Sequence, residues 1–294
     1  MGKVEMLSIF KKATRKLLLK YAPPEVIVLL KSTIAQYKSK NGRPFPHKNI
    51  YITDSAPGGK VLVLSPHPDD EAIGMGGALS MHLENQDTVT VLYMTNGRGA
   101  GGSNGELIDI RRKEAESVGE EYCIKQIFWD FEDTCLTNDT ATISAMIKVL
   151  DEIKPTVIYV PSFFDHHFDH FSANKILVDA LKKTSGKLTI MGYEVWDNMP
   201  FPNFILNISD HFEKKTGILS HYTTPLKATD FIKLCQHRDA LHYTLYVDSA
   251  RKEIDGYAEA FYRLDSETYR AIYNDYLYAL EENGSSLPAN VIEH

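Results

Sequence analysis

Lys60-Val-Leu-Val-Leu64 and Thr156-Val-Ile-Tyr-Val160 are short unbroken apolar runs, whereas the stretches between such runs repeat an apolar residue every three or four positions. The first pattern marks strands covered on both faces, and the second marks amphipathic helices. Along the chain it predicts strands at 60–65, 88–95, 124–129, 156–161 and 187–194, separated by helices at 71–85, 106–122, 139–153 and 170–184. This alternation implies an α/β, Rossmann-like parallel sheet flanked by helices. Beyond residue 200 the spacing turns helical, with candidate helices near 210–221, 226–243, 250–263 and 267–282, so a mainly helical C-terminal region is expected.

Ahead of the first strand lies a different pattern. Leu7, Phe10, Thr14, Leu17, Leu18 and Tyr21 keep helical spacing, Pro23-Pro24 interrupts it, and Val26, Leu29, Leu30, Ile34 and Tyr37 resume it. A helical hairpin follows, closed by the turn-forming stretch Lys40 to Pro46. The expected organisation is an N-terminal helical extension over 1–48 and an α/β domain over 49–294. The extension holds 11 Lys/Arg against 2 Glu, leaving a net −16 on the rest of a chain whose total is −7. Its basic face suits peripheral contact of residues 1–45 with an anionic membrane surface or an acidic partner; equally it suits a packing helix with a solvated face.

Composition narrows the class. With 43% hydrophobic and 24% charged residues, and no apolar run near the ~20 residues of a membrane span, the chain reads as a soluble globular protein. Cys123, Cys135 and Cys235 form no Cys-x-x-Cys pair and the N-terminus lacks a clear signal peptide, so a cytoplasmic location is expected. A small-molecule substrate, with no nucleic acid, is the expected partner.

The chemistry concentrates just past two strand ends. Ser65-Pro-His-Pro-Asp-Asp-Glu71 follows the first strand and Asp165-His-His-Phe-Asp-His170 follows the fourth. Ligands in open α/β sheets bind beyond the carboxyl ends of strands. Catalytic zinc takes three nitrogen or oxygen ligands and keeps one position open, so His67, one of the two adjacent Asp and one later His suffice. An Asp at a helix start is also an ordinary cap, and clustered histidines can be a solvated turn. Capping leaves His67 without a role, and two such clusters at the ends of one sheet favour a metal site.

These two motifs resemble those of the LmbE-like, or PIG-L-like, de-N-acetylases, zinc-dependent amidases acting on N-acetylglucosamine-type sugars. The resemblance extends from about residue 60 to about 265 through Asn96-Gly97-Arg98, Arg111-x-x-Glu114, Asp133-x-x-Leu136, Tyr193-Glu194 and Tyr257 to Phe261. It implies Zn2+ held by His67, Asp70 and His170, with Asp69 as general base. It also implies a protonated His167 that stabilises the oxyanion, and Asp169 orienting its neighbouring histidines from behind. Phe168 stands where the family commonly has proline, and His166 duplicates His167.

Arg98, Arg111 and Asp133 are candidate substrate contacts, while Arg111 and Glu114 also suit an ordinary surface pair at i,i+3. Trp196 offers a stacking face for a sugar beside Glu194, His221 is within possible reach of the pocket, and the glycine-rich loop 95–103 suits a pocket rim. The competing functions are a zinc amidase or esterase acting on a non-sugar acyl group, and a non-catalytic nucleotide-binding module resting on Gly74-Met-Gly-Gly77.

Overall fold

The computed structural model describes residues 50–99, 105–184, 186, 188–200, 202–248, 250 and 255–282. The expected N-terminal hairpin and residues 100–104 lie outside them. The chain divides into two units, Met1–Asn49 with Glu267–His294, and Ile50–Ser266.

The second unit holds an eight-stranded sheet in the order β1-β7-β8-β6-β5-β2-β3-β4. Its elements run β1 (Tyr51–Thr53), β2 (Lys60–Ser65), α1 (Asp70–Glu84), β3 (Thr88–Thr95), α2 (Gly105–Tyr122), β4 (Lys125–Phe131), α3 (Thr140–Ile153) and β5 (Val157–Pro161). They continue through α4 (Phe168–Leu181), β6 (Thr189–Tyr193), β7 (Phe204–Asn207), α5 (Phe212–Ser220), α6 (Thr223–Ala228), α7 (Phe231–His242) and β8 (Ala258–Asp265). The last described element, α8 (Ser266–Glu282), falls almost wholly in the other unit.

The five strands expected from the apolar runs form the parallel block β4-β3-β2-β5-β6. Val61, Leu62, Val63 and Leu64 are all fully buried, as a central strand with helices on both sides requires. Val61, Val63, Val91, Tyr159 and Met191 share one core with Ala72, Met75 and Leu79 of α1. The alternate positions Leu62, Leu64, Leu92, Ile158 and Ile190 are buried as well.

One expectation fails in the C-terminal half. The segment read as helix 250–263 supplies β8, which runs antiparallel between β6 and β7, so the sheet is mixed. Its first five residues are buried without alternation, which erases the period-two signal of a strand. Two further strands were not predicted, β1 at the sheet edge and β7 beside it, which at three and four residues are too short to show a period at all.

Chain order reverses at β2, whose partners are β3 on one side and β5 on the other. The loops leaving β2 and β5 therefore diverge over one crevice, and these are the loops that carry the two His/Asp motifs.

Candidate metal centre and pocket

The loop after β2 is tied down at both ends. Thr95, the last residue of β3, donates its backbone N–H and its hydroxyl to the Pro66 carbonyl at 2.9 and 2.8 Å. The Ser65 hydroxyl donates to the His67 carbonyl at 2.7 Å, and the His67 backbone N–H donates to Asp70 Oδ2 at 2.8 Å. Asp69 then turns the chain with φ 127°, a conformation strained for an L-residue. The strain falls where two adjacent carboxylates must part. Asp69 makes no side-chain bond to the helix it precedes, so the capping role is not realised. Its carboxylate lies 3.1 Å from Arg111 Nη2, while Asp70 turns toward the histidines.

The loop after β5 delivers its residues through the start of α4. His167 is the residue that caps this helix, its Nδ1 accepting the Asp169 N–H at 3.2 Å. The fully buried His170 follows one turn in. Asn174, a turn further on, donates to the His170 and Pro161 carbonyls at 2.7 and 2.9 Å and so fastens the helix to the end of β5.

The two loops bring three ligand atoms together. His67 Nδ1, Asp70 Oδ2 and His170 Nε2 form a triangle with sides of 3.0, 3.2 and 3.4 Å. Zinc bonds of about 2.0–2.2 Å at tetrahedral angles separate ligand atoms by roughly 3.3–3.6 Å, so the donor set suits such an ion, one side matching this spacing and the other two lying a few tenths of an ångström inside it. Behind each imidazole stands a carboxylate. Asp169 Oδ2 lies 3.0 Å from His67 Nε2, and Asp165 Oδ1 lies 3.1 Å from His170 Nδ1. Carboxylates in these positions fix ring orientation and make the ligating nitrogens more basic.

The electrostatics call for positive charge at the centre. Burial works against a charged His170, yet the Asp70 and Asp165 carboxylates outweigh it and raise its pKa to about 9. Burial likewise opposes charge on His67, but Asp70, Asp133 and Asp169 hold it well above the usual imidazole range. Burial also pushes Asp69 up to about 7, against the pull of Arg111. His167 is lowered to about 4 by burial and by its proximity to the other two imidazoles.

A pocket of about 320 Å³ opens onto the cluster. Its polar side includes His67, Asp69, Arg111, Asp133 and His167, and its apolar side includes Ile73, Val195, Trp196, Pro225 and Phe231. Of the duplicated histidines, His167 lines this pocket; His166 has a largely exposed side chain and pairs with Asp197 at 2.6 Å.

The remaining candidates divide. Asp133 reaches the centre itself, 3.2 Å from His67 Nε2. Arg98 is not among the lining residues, although its neighbour Gly99 is and donates its N–H to Asp133 at 2.7 Å. Arg111 and Glu114 do not pair on a helix surface: both are buried, and they turn to Asp69 and to Thr223 and Thr224 respectively. Trp196 reaches the pocket, but Glu194 is occupied by His242 at 2.7 Å and by the Met199 N–H. His221 lies against Ser117 and Glu121 instead. Asp169 meets its neighbour His167 through its backbone N–H, while its carboxylate backs His67, 102 positions away, and also accepts the N–H groups of Thr134 and Leu136 at 2.7 and 3.1 Å.

Two residues of the cluster went unassigned in the sequence. Asp165 opens the second motif but was given no role, and only knowledge of which residue faces His170 Nδ1 could have assigned one. Glu71, fully buried, accepts from Ser65 at 2.8 Å, from Tyr93 at 3.2 Å and from Tyr222, and so ties the ligand loop to β3 and to the start of α6. The tyrosines carried no motif to announce them.

Gly74, Gly76 and Gly77 serve packing. A Cβ on each would come within 2.2–2.7 Å of Tyr193, Lys215 and Ile208 respectively. The α1 backbone also departs from helical geometry at Met75, and Glu259 accepts the freed N–H groups of Gly77 and Ala78 at 2.8 Å each. That accounts for the glycines which had suggested nucleotide binding.

Comparison with known proteins agrees with this geometry. Residues 62–181 match the family described as PIG-L, GlcNAc-PI de-N-acetylase. The Diacetylchitobiose deacetylase of Thermococcus kodakarensis is 30% identical over 131 residues, covering 42% of this chain and 49% of that protein. A putative glucosamine-6-phosphate deaminase-like protein of Bacteroides thetaiotaomicron is 35% identical over 121 residues, 38% of this chain and 14% of the other. The match thus spans about half the length of the first relative and less of the second. Among solved structures, N,N'-diacetylchitobiose deacetylase from Pyrococcus horikoshii superposes with a TM-score of 0.58 at 23% identity, covering 76% of this chain and 87% of that one. The 4-carboxy-2-hydroxymuconate hydratase of Pseudomonas putida KT2440 shares the fold equally well, with a TM-score of 0.59 at 18% identity over 71% of this chain and 96% of that one. Fold likeness alone therefore does not select a reaction. Sequence match, strand order and the two His/Asp loops coincide over residues 62–181, and it is in that segment that this chain is similar to the PIG-L family.

Proposed function

We propose that this protein is a zinc-dependent hydrolase that removes the acetyl group from an N-acetylglucosamine-type amide, releasing acetate and a free amine. The carrying observation is the triangle of His67 Nδ1, Asp70 Oδ2 and His170 Nε2, with a carboxylate behind each ring. The PIG-L match and the identity with a diacetylchitobiose deacetylase support an N-acetylated sugar as substrate.

His67, Asp70 and His170 would hold the ion, which when bound supplies Lewis acidity toward the acyl carbonyl and makes water acidic enough to attack near neutral pH. Asp69 is the base. Its carboxylate faces the pocket beside Arg111, and burial raises its pKa to about 7, close to the working pH. Having taken the proton of the attacking water, the same carboxyl returns one to the amine nitrogen as the C–N bond breaks. His167 accepts the Asp169 N–H at Nδ1, so its own ring proton sits on Nε2. From Nε2 the ring can donate to the developing oxyanion, the role the family resemblance implies for it.

The test is acetate release by zinc-loaded enzyme from a panel of N-acetylated sugars including N,N'-diacetylchitobiose, with Asp69→Ala as control. Acetate release that fails in the variant supports the proposal. Hydrolysis confined to simple acyl esters or non-sugar amides would replace it with the non-sugar reading.

A further inference from the structure

The pocket has two unlike walls, and the structure shows how the apolar one is held. Pro225 and Ala228 of α6, together with Phe231 and Trp196, line the same pocket as the His/Asp cluster. Phe231 and Trp196 meet edge to face with centroids 5.3 Å apart, and Trp196 keeps 42% of its surface exposed. An exposed indole on the wall of a catalytic pocket is a platform for an apolar or aromatic group.

Helix α6 has six residues, too few to hold its place by its own hydrogen bonds. Glu114 supplies the anchor. Its Oε1 accepts the Thr223 hydroxyl at 2.6 Å, the Thr224 hydroxyl at 2.8 Å and the Thr224 N–H at 2.8 Å, thereby fixing the first turn. The carboxylate is buried, and among the described residues Oε2 has no hydrogen-bond partner, so the bonding seen for it goes to α6. Glu114 lies one helical turn beyond Arg111, the partner of Asp69, so a single rigid segment of α2 sets both the base and the apolar wall. At the same corner Tyr222 bonds to Glu71, the residue after the ligand Asp70.

We propose that Glu114 is a positioning residue for specificity: by anchoring α6 it fixes the gap between the hydrolytic centre and the Pro225–Phe231–Trp196 wall, which takes an apolar or aromatic substituent of the substrate. The inference rests on reading this pocket as the amide-hydrolysing site. It makes the substrate an N-acetylated sugar carrying an apolar group rather than a free monosaccharide. None of the wall residues Pro225, Ala228, Phe231 and Trp196 carries a charge to receive an anionic aglycone.

The experiment compares N-acetylglucosamine with its 2-naphthyl β-glycoside, using zinc-loaded wild type, Glu114→Ala and Glu114→Gln. Wild type should favour the naphthyl glycoside at least tenfold in kcat/KM. In Glu114→Ala this preference should fall toward unity through a higher KM for the naphthyl glycoside, with kcat changing less than KM. Glu114→Gln keeps an acceptor oxygen and should recover most of the preference. Equal use of both substrates by wild type, or a Glu114→Ala loss that falls on kcat for both alike, would overturn the proposal. Calorimetric binding of the deacetylated naphthyl glucosaminide separates this from failure of the hydrolase reading. If no acetate is released from either substrate, tight binding by wild type that weakens tenfold or more in Glu114→Ala still supports the wall, and equal or absent binding refutes it.

Discussion

Raising the pH should destabilise the metal-free protein and tighten its hold on metal, because protons and cation compete for the same buried atoms. The pKa of His170 is about 9 in the folded chain, against about 6.5 for an unfolded histidine. A raised folded-state value contributes stability that is fully present below pH 6.5 and is lost as pH rises through 9. The difference amounts to on the order of 3 kcal/mol from this residue, and His67, also raised, adds in the same direction. Chelated protein should therefore unfold at clearly lower urea concentration at pH 9 than at pH 6.5. With the ligands already deprotonated, zinc-loaded protein should not show this loss. Zinc binding at pH 7.5 should release more than one proton and approach two, and apparent affinity should rise about tenfold per pH unit for each proton displaced. Calorimetry in buffers of different ionisation enthalpy counts those protons. Equal stability of chelated protein at the two pH values, or zinc binding without proton release, would refute the reasoning.

Other consequences can be checked directly. Asp69→Ala should retain zinc while losing turnover by several powers of ten, whereas His170→Ala should lose zinc affinity first; metal analysis beside acetate assays separates them. Asp165→Asn removes the charge behind His170 and should weaken zinc binding roughly 10–100-fold, measured by competition with a chromophoric chelator. Glu259→Gln leaves Lys215 paired with Asp239 at 2.7 Å but turns an NH2 group toward the Gly77 or Ala78 N–H that the carboxylate accepts, and should cost about 1–3 kcal/mol in urea denaturation.

What could be read in advance followed the physics of each segment. The central strands were legible because burial on both faces leaves an unbroken apolar run, and a set of His67, one adjacent Asp and one later His was legible because strand ends deliver both motifs to one crevice, whereas the choice of Asp70 and His170 came from the family resemblance. β8 shares the burial, but lying between flanking helical patterns it resembled one of them. The partner of Asp169 was hidden for another reason: it depends on α4 packing back toward β2, a contact across 102 positions that no local spacing encodes. Similarly, the role of Glu114 exists only once α6 is folded against α2.

The central claim is that His67, Asp70 and His170 bind one cation, and a zinc-soaked crystal measured above the zinc absorption edge tests it most directly. The account predicts one strong anomalous peak about 2 Å from His67 Nδ1, Asp70 Oδ2 and His170 Nε2. A peak elsewhere, or none at these atoms with zinc present in excess, would contradict it.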